Sequence, residues 1–155
     1  MPIYDVKSNG KGEFWFVTET NVTYSINMTK NEDILESAMC NVYDLSFYKI
    51  ENEQGYESRK IPEFVKETIF KILFQYLFED CCIIWLCEVK DLKQKYRHHL
   101  FKKWFNEIKR PFHEKIDIHM QKSDFYASLV IQTDNKNYKE IIEEFRMMAG
   151  KYDKR

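Results

Sequence analysis

A basic helix near the middle of the chain carries the side chains with the clearest capacity for chemistry. At about 100° per residue, Tyr96, Arg97 and Trp104 fall on one broad, mainly apolar face. An arginine on such a face needs a partner, because burying an unpaired charge costs several kcal/mol or more. Arg97 either clamps a carboxylate of the neighbouring sheet or binds an anion in a pocket lined by Tyr96 and Trp104. We favour the structural role, in which Arg97 clamps a carboxylate, and keep both interpretations open.

The opposite side of this helix predicts a basic ridge. Lys95, His98, Lys102 and Lys103 fall there, and such a ridge could lie along a phosphate backbone. Stacking on nucleic-acid bases requires exposed rings, however, and the aromatic residues of this helix are predicted to face the core. A solvated helix face is therefore the favoured reading, and nucleic acid is disfavoured as a partner.

The cysteines and histidines do not predict a metal site. The four cysteines lack CxxC spacing, and His113 and His119 are six residues apart, outside the spacing of common zinc sites. Cys87 lies in an apolar stretch, where a buried thiol is usually inert. We expect no metal and free thiols in a reducing cytosol, which predicts a cytoplasmic protein.

Composition predicts a single folded domain over residues 1–155. Hydrophobic residues make up 44% of the chain and aromatic residues 16%, which is enough for a sizeable core. No apolar stretch approaches the roughly 18 residues needed to span a bilayer, and the first residues do not resemble a signal peptide. The net charge of −1 argues further against a nucleic-acid binder, which usually has a basic balance.

Hydrophobic periodicity predicts an α+β fold with the order β-β-β-α-β-α-β-β-α. The sheet is expected to be mixed, mainly antiparallel and of about six strands, packed against three helices. Its consecutive aromatic residues Phe14, Trp15 and Phe16 put a large ring on each face of the first strand, so an edge pairing in a homodimer is one expectation. The predicted strands are 13–18, 22–28, 42–51, 82–89, 115–121 and 125–132, and the predicted helices are 62–79, 92–108 and 137–150.

The segment RHHLFKKWF, from Arg97 to Phe105, resembles the R-x-x-x-F-x-x-W-F pattern of an uncharacterised bacterial family, a domain of unknown function. The aliphatic helix ETIFKIL, the strand IIWLCEV and the ending YASLVIQTDN resemble it as well. The resemblance would cover residues 4–145, and it implies no activity.

The order of elements is similar to that of the GNAT acyltransferase superfamily. In that superfamily a glycine-rich loop before the central helix binds the coenzyme A pyrophosphate on backbone N–H groups. The matching region here, residues 54–62, lacks the second glycine and ends in Pro62, so Arg59 and Lys60 would attract phosphate only as point charges. The resemblance implies acetyl-CoA as cofactor only if this loop still functions, and Tyr126 on the closing hairpin would then be a candidate general acid.

No catalytic set assembles from the sequence, so the function is unknown at this stage and three hypotheses remain. The leading one is a non-catalytic binding or interaction protein on a GNAT-like scaffold, without a cofactor. The second is an acyl-CoA-dependent N-acyltransferase with a degenerate phosphate loop. The third is a nucleic-acid-associated protein that uses the basic helix 92–108.

Overall fold

The computed structural model describes residues 4–31, 41–50, 63–77, 80–87, 94–108 and 110–153. Within them, the longer elements follow the predicted order, and the predicted bounds of the strand 125–132 are confirmed. The elements in chain order are β1 (Lys7–Ser8), β2 (Glu13–Val17), β3 (Thr23–Lys30), β4 (Asn41–Ile50), α1 (Glu63–Phe74), β5 (Cys81–Cys87), α2 (Gln94–Ile108), β6 (His113–Met120), β7 (Phe125–Gln132) and α3 (Tyr138–Asp153).

The strands form one mixed sheet of seven strands in the order β1-β2-β3-β4-β5-β7-β6. The α+β class, the three helices and the order of the six longer strands are confirmed. The seventh strand, β1, is a correction to the expected number of about six. It is two residues long and pairs only Lys7 and Ser8 with β2, too short to produce a hydrophobic alternation.

Two hydrophobic cores cover opposite faces of this sheet. Helices α1 and α2 pack on one face, where Phe70 and Phe101 are completely buried and stack on each other, with Phe101 against Trp85 of β5. Helix α3 packs on the other face over β6 and β7. Within the described helices, none is both long and apolar enough to cross a membrane.

Strands β4 and β5 run parallel, whereas every other neighbouring pair among the described strands is antiparallel. Their pairing begins at Asn41 with Cys81 and ends at Leu45 with Trp85. Beyond that point β4 continues to Ile50 alongside β3, and β5 continues to Cys87 alongside β7. The two strands therefore part at their carboxyl ends, and we call the space between them the β4–β5 crevice.

Candidate functional site

The buried face of α2 is rotated relative to the predicted one. Phe101 is completely buried, and His98, three residues earlier, is 6% exposed on the same side. Tyr96, which the apolar pattern placed in the core, is 62% exposed. The prediction was wrong on both residues because a hydrophobicity pattern counts histidine as polar and tyrosine as apolar, whereas here an imidazole ring packs against the sheet.

The expected basic ridge is consequently incomplete. Lys95, Lys102 and Lys103 are exposed, but His98 is not among them. Lys103 lies 3.9 Å from Glu107 in an exposed pair. Trp104 is buried in the core beside Phe47, with ring centroids 6.4 Å apart. These positions fit a helix with one solvated face and a buried aromatic face on the opposite side.

The other predicted anion-binding residues divide into two groups. Arg97 is half-buried and has an interaction partner, as its place on the helix requires. Arg59 and Lys60 lie outside the described residues, as does the loop 54–62 that resembles a phosphate loop.

Tyr126 lies between two histidine rings at the start of β7. The ring of His98 stacks on one side with centroids 4.4 Å apart, and the ring of His119 stacks on the other at 4.2 Å and an interplanar angle of 5°. His98 and Tyr126 are buried, whereas His119 is partly open to solvent. Nε2 of His119 lies 2.9 Å from Oδ1 of Asp124. We call His98, Tyr126 and His119 the histidine–tyrosine stack.

A buried polar network adjoins this stack on the same face of the sheet. Lys115 donates a hydrogen bond to Asp117 from a side chain that is only 3% exposed. Ser128 Oγ donates to Oδ1 of the same carboxylate at 2.7 Å. The Lys115 ammonium also lies 5.4 Å from the centre of the Phe101 ring. The network places a compensated pair of charges below α2.

Burial determines the charge state of His98. It lowers the pKa of the imidazole to about 4, although the nearby Asp117 carboxylate acts in the opposite direction. Burial alone would raise the pKa of Asp117, but the hydrogen bonds from Lys115 and Ser128 lower it below its ordinary value. At neutral pH the site therefore contains a neutral imidazole next to an ion pair.

Nδ1 of His98 is buried and has no hydrogen-bond partner among the residues that the structure describes. Buried polar atoms in folded proteins are nearly always hydrogen-bonded, because leaving one unsatisfied costs about 1–3 kcal/mol. This atom is therefore the least explained feature of the site.

The stack and the β4–β5 crevice lie at the same end of the sheet. Tyr126 pairs with Cys87, the last residue of β5, and α2 begins at Gln94, seven residues further along the chain. Sequence reasoning selected Tyr126 but did not place Asp117 and His119 beside it. A signal existed, because polar residues alternate along β6 in the pattern K-x-D-x-H and therefore share one face.

The described residues line two open grooves outside the β4–β5 crevice, and His119 of the stack is among the residues that line the second. One, of about 510 Å³, separates the N-terminal residues from α1 and is lined in part by Val6, Lys71 and Gln75. The other, of about 350 Å³, lies between β6 and α3 next to Ala149 and Gly150. Across the described parts of the chain, no three His, Cys, Asp or Glu side chains are grouped in a way that would hold a metal ion.

Comparison with known families identifies one match. The model of a family of unknown function, DUF6169, matches residues 61–147, which is more than half of the 155-residue chain. The match includes the R-x-x-x-F-x-x-W-F segment and spans a shorter range than the expected 4–145. No curated protein and no solved structure matches the chain.

Proposed function

We propose that this chain, which belongs to the family of unknown function DUF6169, is a non-catalytic protein on a GNAT-like scaffold that binds a small phosphate-bearing ligand in the β4–β5 crevice. The order of helices and strands supports the comparison with the GNAT scaffold. Since a fold alone does not imply an activity, the argument for binding rests on the crevice itself.

The observation that carries the proposal is the end of the β4–β5 pairing at Leu45 and Trp85. Ligands of open sheets with parallel strands commonly bind outside the carboxyl ends of those strands, where neighbouring strands or their connections part. Beyond this pair, the backbone N–H and C=O of Phe47 on β4 point towards β5 but have no paired β5 residue, whereas those of Ser46 point towards β3. The backbone groups of Phe47 border the crevice and can serve as hydrogen-bonding partners for a ligand.

The charge at the start of α2 supports a phosphate-bearing ligand. The first turn contains Lys95 and Arg97 and no acidic side chain. The amino-terminal end of a helix carries a partial positive charge, which adds to that of the side chains. Because α2 follows β5, this end of the helix lies on the side of the sheet where the crevice opens.

Thermal unfolding with millimolar acetyl-CoA, and separately with ATP, tests the proposal. A ligand present at about one hundred times its dissociation constant adds about 2.7 kcal/mol of stability, which raises Tm by several degrees in a domain of this size. We expect such a rise with at least one of the two compounds. No rise with either would contradict the proposal.

Two charge-reversal variants test whether the ligand-induced rise in Tm depends on the start of α2. Lys95→Glu should reduce the ligand-induced rise, because it reverses a charge in the first turn of α2. Lys139→Glu makes the same change on an exposed residue in the first turn of α3 and should leave the rise intact. Equal effects of the two variants would indicate general charge attraction and not this site.

Acyl transfer is the second candidate function, and the position of Tyr126 favours it. An amine that attacks a thioester forms a C–N bond and breaks the C–S bond. The Tyr126 hydroxyl would protonate the departing thiolate and recover the proton that the amine loses. His119, held by Asp124, lies next to the ring and can assist the transfer of that proton.

Release of free thiol from acetyl-CoA in the presence of spermidine or lysine measures this activity. Tyr126→Phe is expected to lower the rate by about 10²–10⁴-fold, the usual contribution of general acid catalysis, with Tm nearly unchanged. Tyr4→Phe removes a hydroxyl bonded to Glu19 in the distant turn between β2 and β3 and should have no effect on the rate. If the wild-type protein releases no thiol above the rate in buffer alone, acyl transfer is contradicted and only ligand binding remains.

A further inference from the structure

We propose that Nδ1 of His98 hydrogen-bonds an uncharged carbonyl or hydroxyl group of the ligand, which makes this histidine a determinant of ligand specificity. The inference rests on the proposed function, because it assigns one contact to a ligand in the β4–β5 crevice. Its evidence is the unpartnered buried atom together with the location of that atom.

The fold does not require a nitrogen at this position. His98 contributes to the core by stacking on Tyr126, and a phenyl ring would make the same stack. The imidazole instead buries Nδ1 with no partner among the described residues, at a cost that a carbon ring would avoid. Residues that lower stability without a structural benefit are expected at functional sites.

The electrostatic surroundings indicate an uncharged group. The imidazole is neutral at physiological pH because its burial disfavours the protonated form. Lys115 and Asp117, the nearest buried charges, already compensate each other. A charged group entering beside His98 would lose its hydration without finding a free counter-charge, whereas a carbonyl or hydroxyl loses much less.

His98 lies at the same end of the sheet as the β4–β5 crevice. The residue lies one turn into α2, after the basic first turn that is assigned to the phosphate group. Its ring contacts Tyr126, which pairs with the last residue of β5. A ligand whose phosphate meets the start of α2 would therefore place its next polar group near His98.

Two variants of His98 test the inference at pH 8, where histidine is neutral in both the folded and the unfolded chain. His98→Phe keeps the stack, and we expect its Tm to exceed that of the wild type by about 2–4 °C because an unsatisfied polar atom is removed. His98→Leu is the second variant, in case the larger phenyl ring overpacks the site. His99→Phe, on the exposed neighbour, is the matched control and should leave Tm unchanged.

Ligand affinity supplies the second measurement. With whichever of acetyl-CoA and ATP stabilises the wild type, His98→Phe should weaken binding by about tenfold, the value of one hydrogen bond. The inference is overturned if both variants have a lower Tm than the wild type at pH 8. It is also overturned if both bind the ligand with unchanged affinity. A wild type that responds to neither ligand contradicts the proposed function instead, while the Tm comparison still decides whether Nδ1 serves the fold.

Discussion

Asp117→Asn is expected to lower the free energy of unfolding by about 3–5 kcal/mol, the largest effect of a single polar substitution proposed for this protein. The change keeps the shape of the side chain but removes a negative charge that accepts hydrogen bonds from Lys115 and Ser128. Lys115 is 3% exposed and Asp117 21% exposed, so water replaces the lost carboxylate poorly, and the ammonium keeps only its interactions with other groups. Urea unfolding at pH 7 measures the change.

Asp124→Asn is the matched control for this substitution. It removes a carboxylate that pairs with His119 at a solvent-exposed position, so we expect a change of less than about 1 kcal/mol. A double variant, Lys115→Met with Asp117→Leu, should recover most of the stability because it removes both buried charges. A loss below about 1 kcal/mol for Asp117→Asn would mean that Lys115 reaches water or a second carboxylate in solution.

Acid destabilisation centred on His98 is the second large effect. The pKa of His98 is about 4 in the folded protein and close to 6.5 in an unfolded chain. Between these values the unfolded chain binds a proton that the folded protein does not, so stability falls as the pH falls. The loss begins below pH 6.5 and reaches about 3 kcal/mol near pH 4.

The charges around His98 do not remove this effect. On β6, Asp117 favours the protonated ring and Lys115 opposes it, while His99 and Lys102 of α2 also oppose it. Urea unfolding of the wild type and of His98→Phe from pH 4 to pH 8 measures the difference. The variant should lose much less stability over this window, and parallel curves would contradict the assignment to His98. His113, whose pKa is also lowered by burial, contributes equally to both curves.

Hydrophobic periodicity was sufficient to predict the order of the longer elements. The strand 125–132 is a largely apolar run that is buried on both faces from residue 126 to 131. The aliphatic helix after residue 62 is apolar nearly all round, as a buried helix should be. Such patterns depend on local sequence. Strand β1 was not predicted because two residues are too few to show a hydrophobic period.

The candidate site could be predicted only in part, because its residues meet through tertiary contacts. Tyr126 was selected from its place on the closing hairpin. Its neighbours come from α2 and β6, and nothing local in the sequence states that His98 and His119 enclose the same ring. The rotation of α2 also had to be known, since the apolar pattern favoured Tyr96 for the core and His98 for the surface.

The location of the ligand is the central claim, and amide chemical shifts test it most directly. We would record ¹H–¹⁵N correlation spectra of the labelled protein during titration with acetyl-CoA and with ATP. The account predicts the largest shifts at Ser46, Phe47, Leu86, His98 and Tyr126, which border the crevice and the histidine–tyrosine stack. Shifts confined to the groove lined by Val6, Lys71 and Gln75, or no shifts at all, would contradict it.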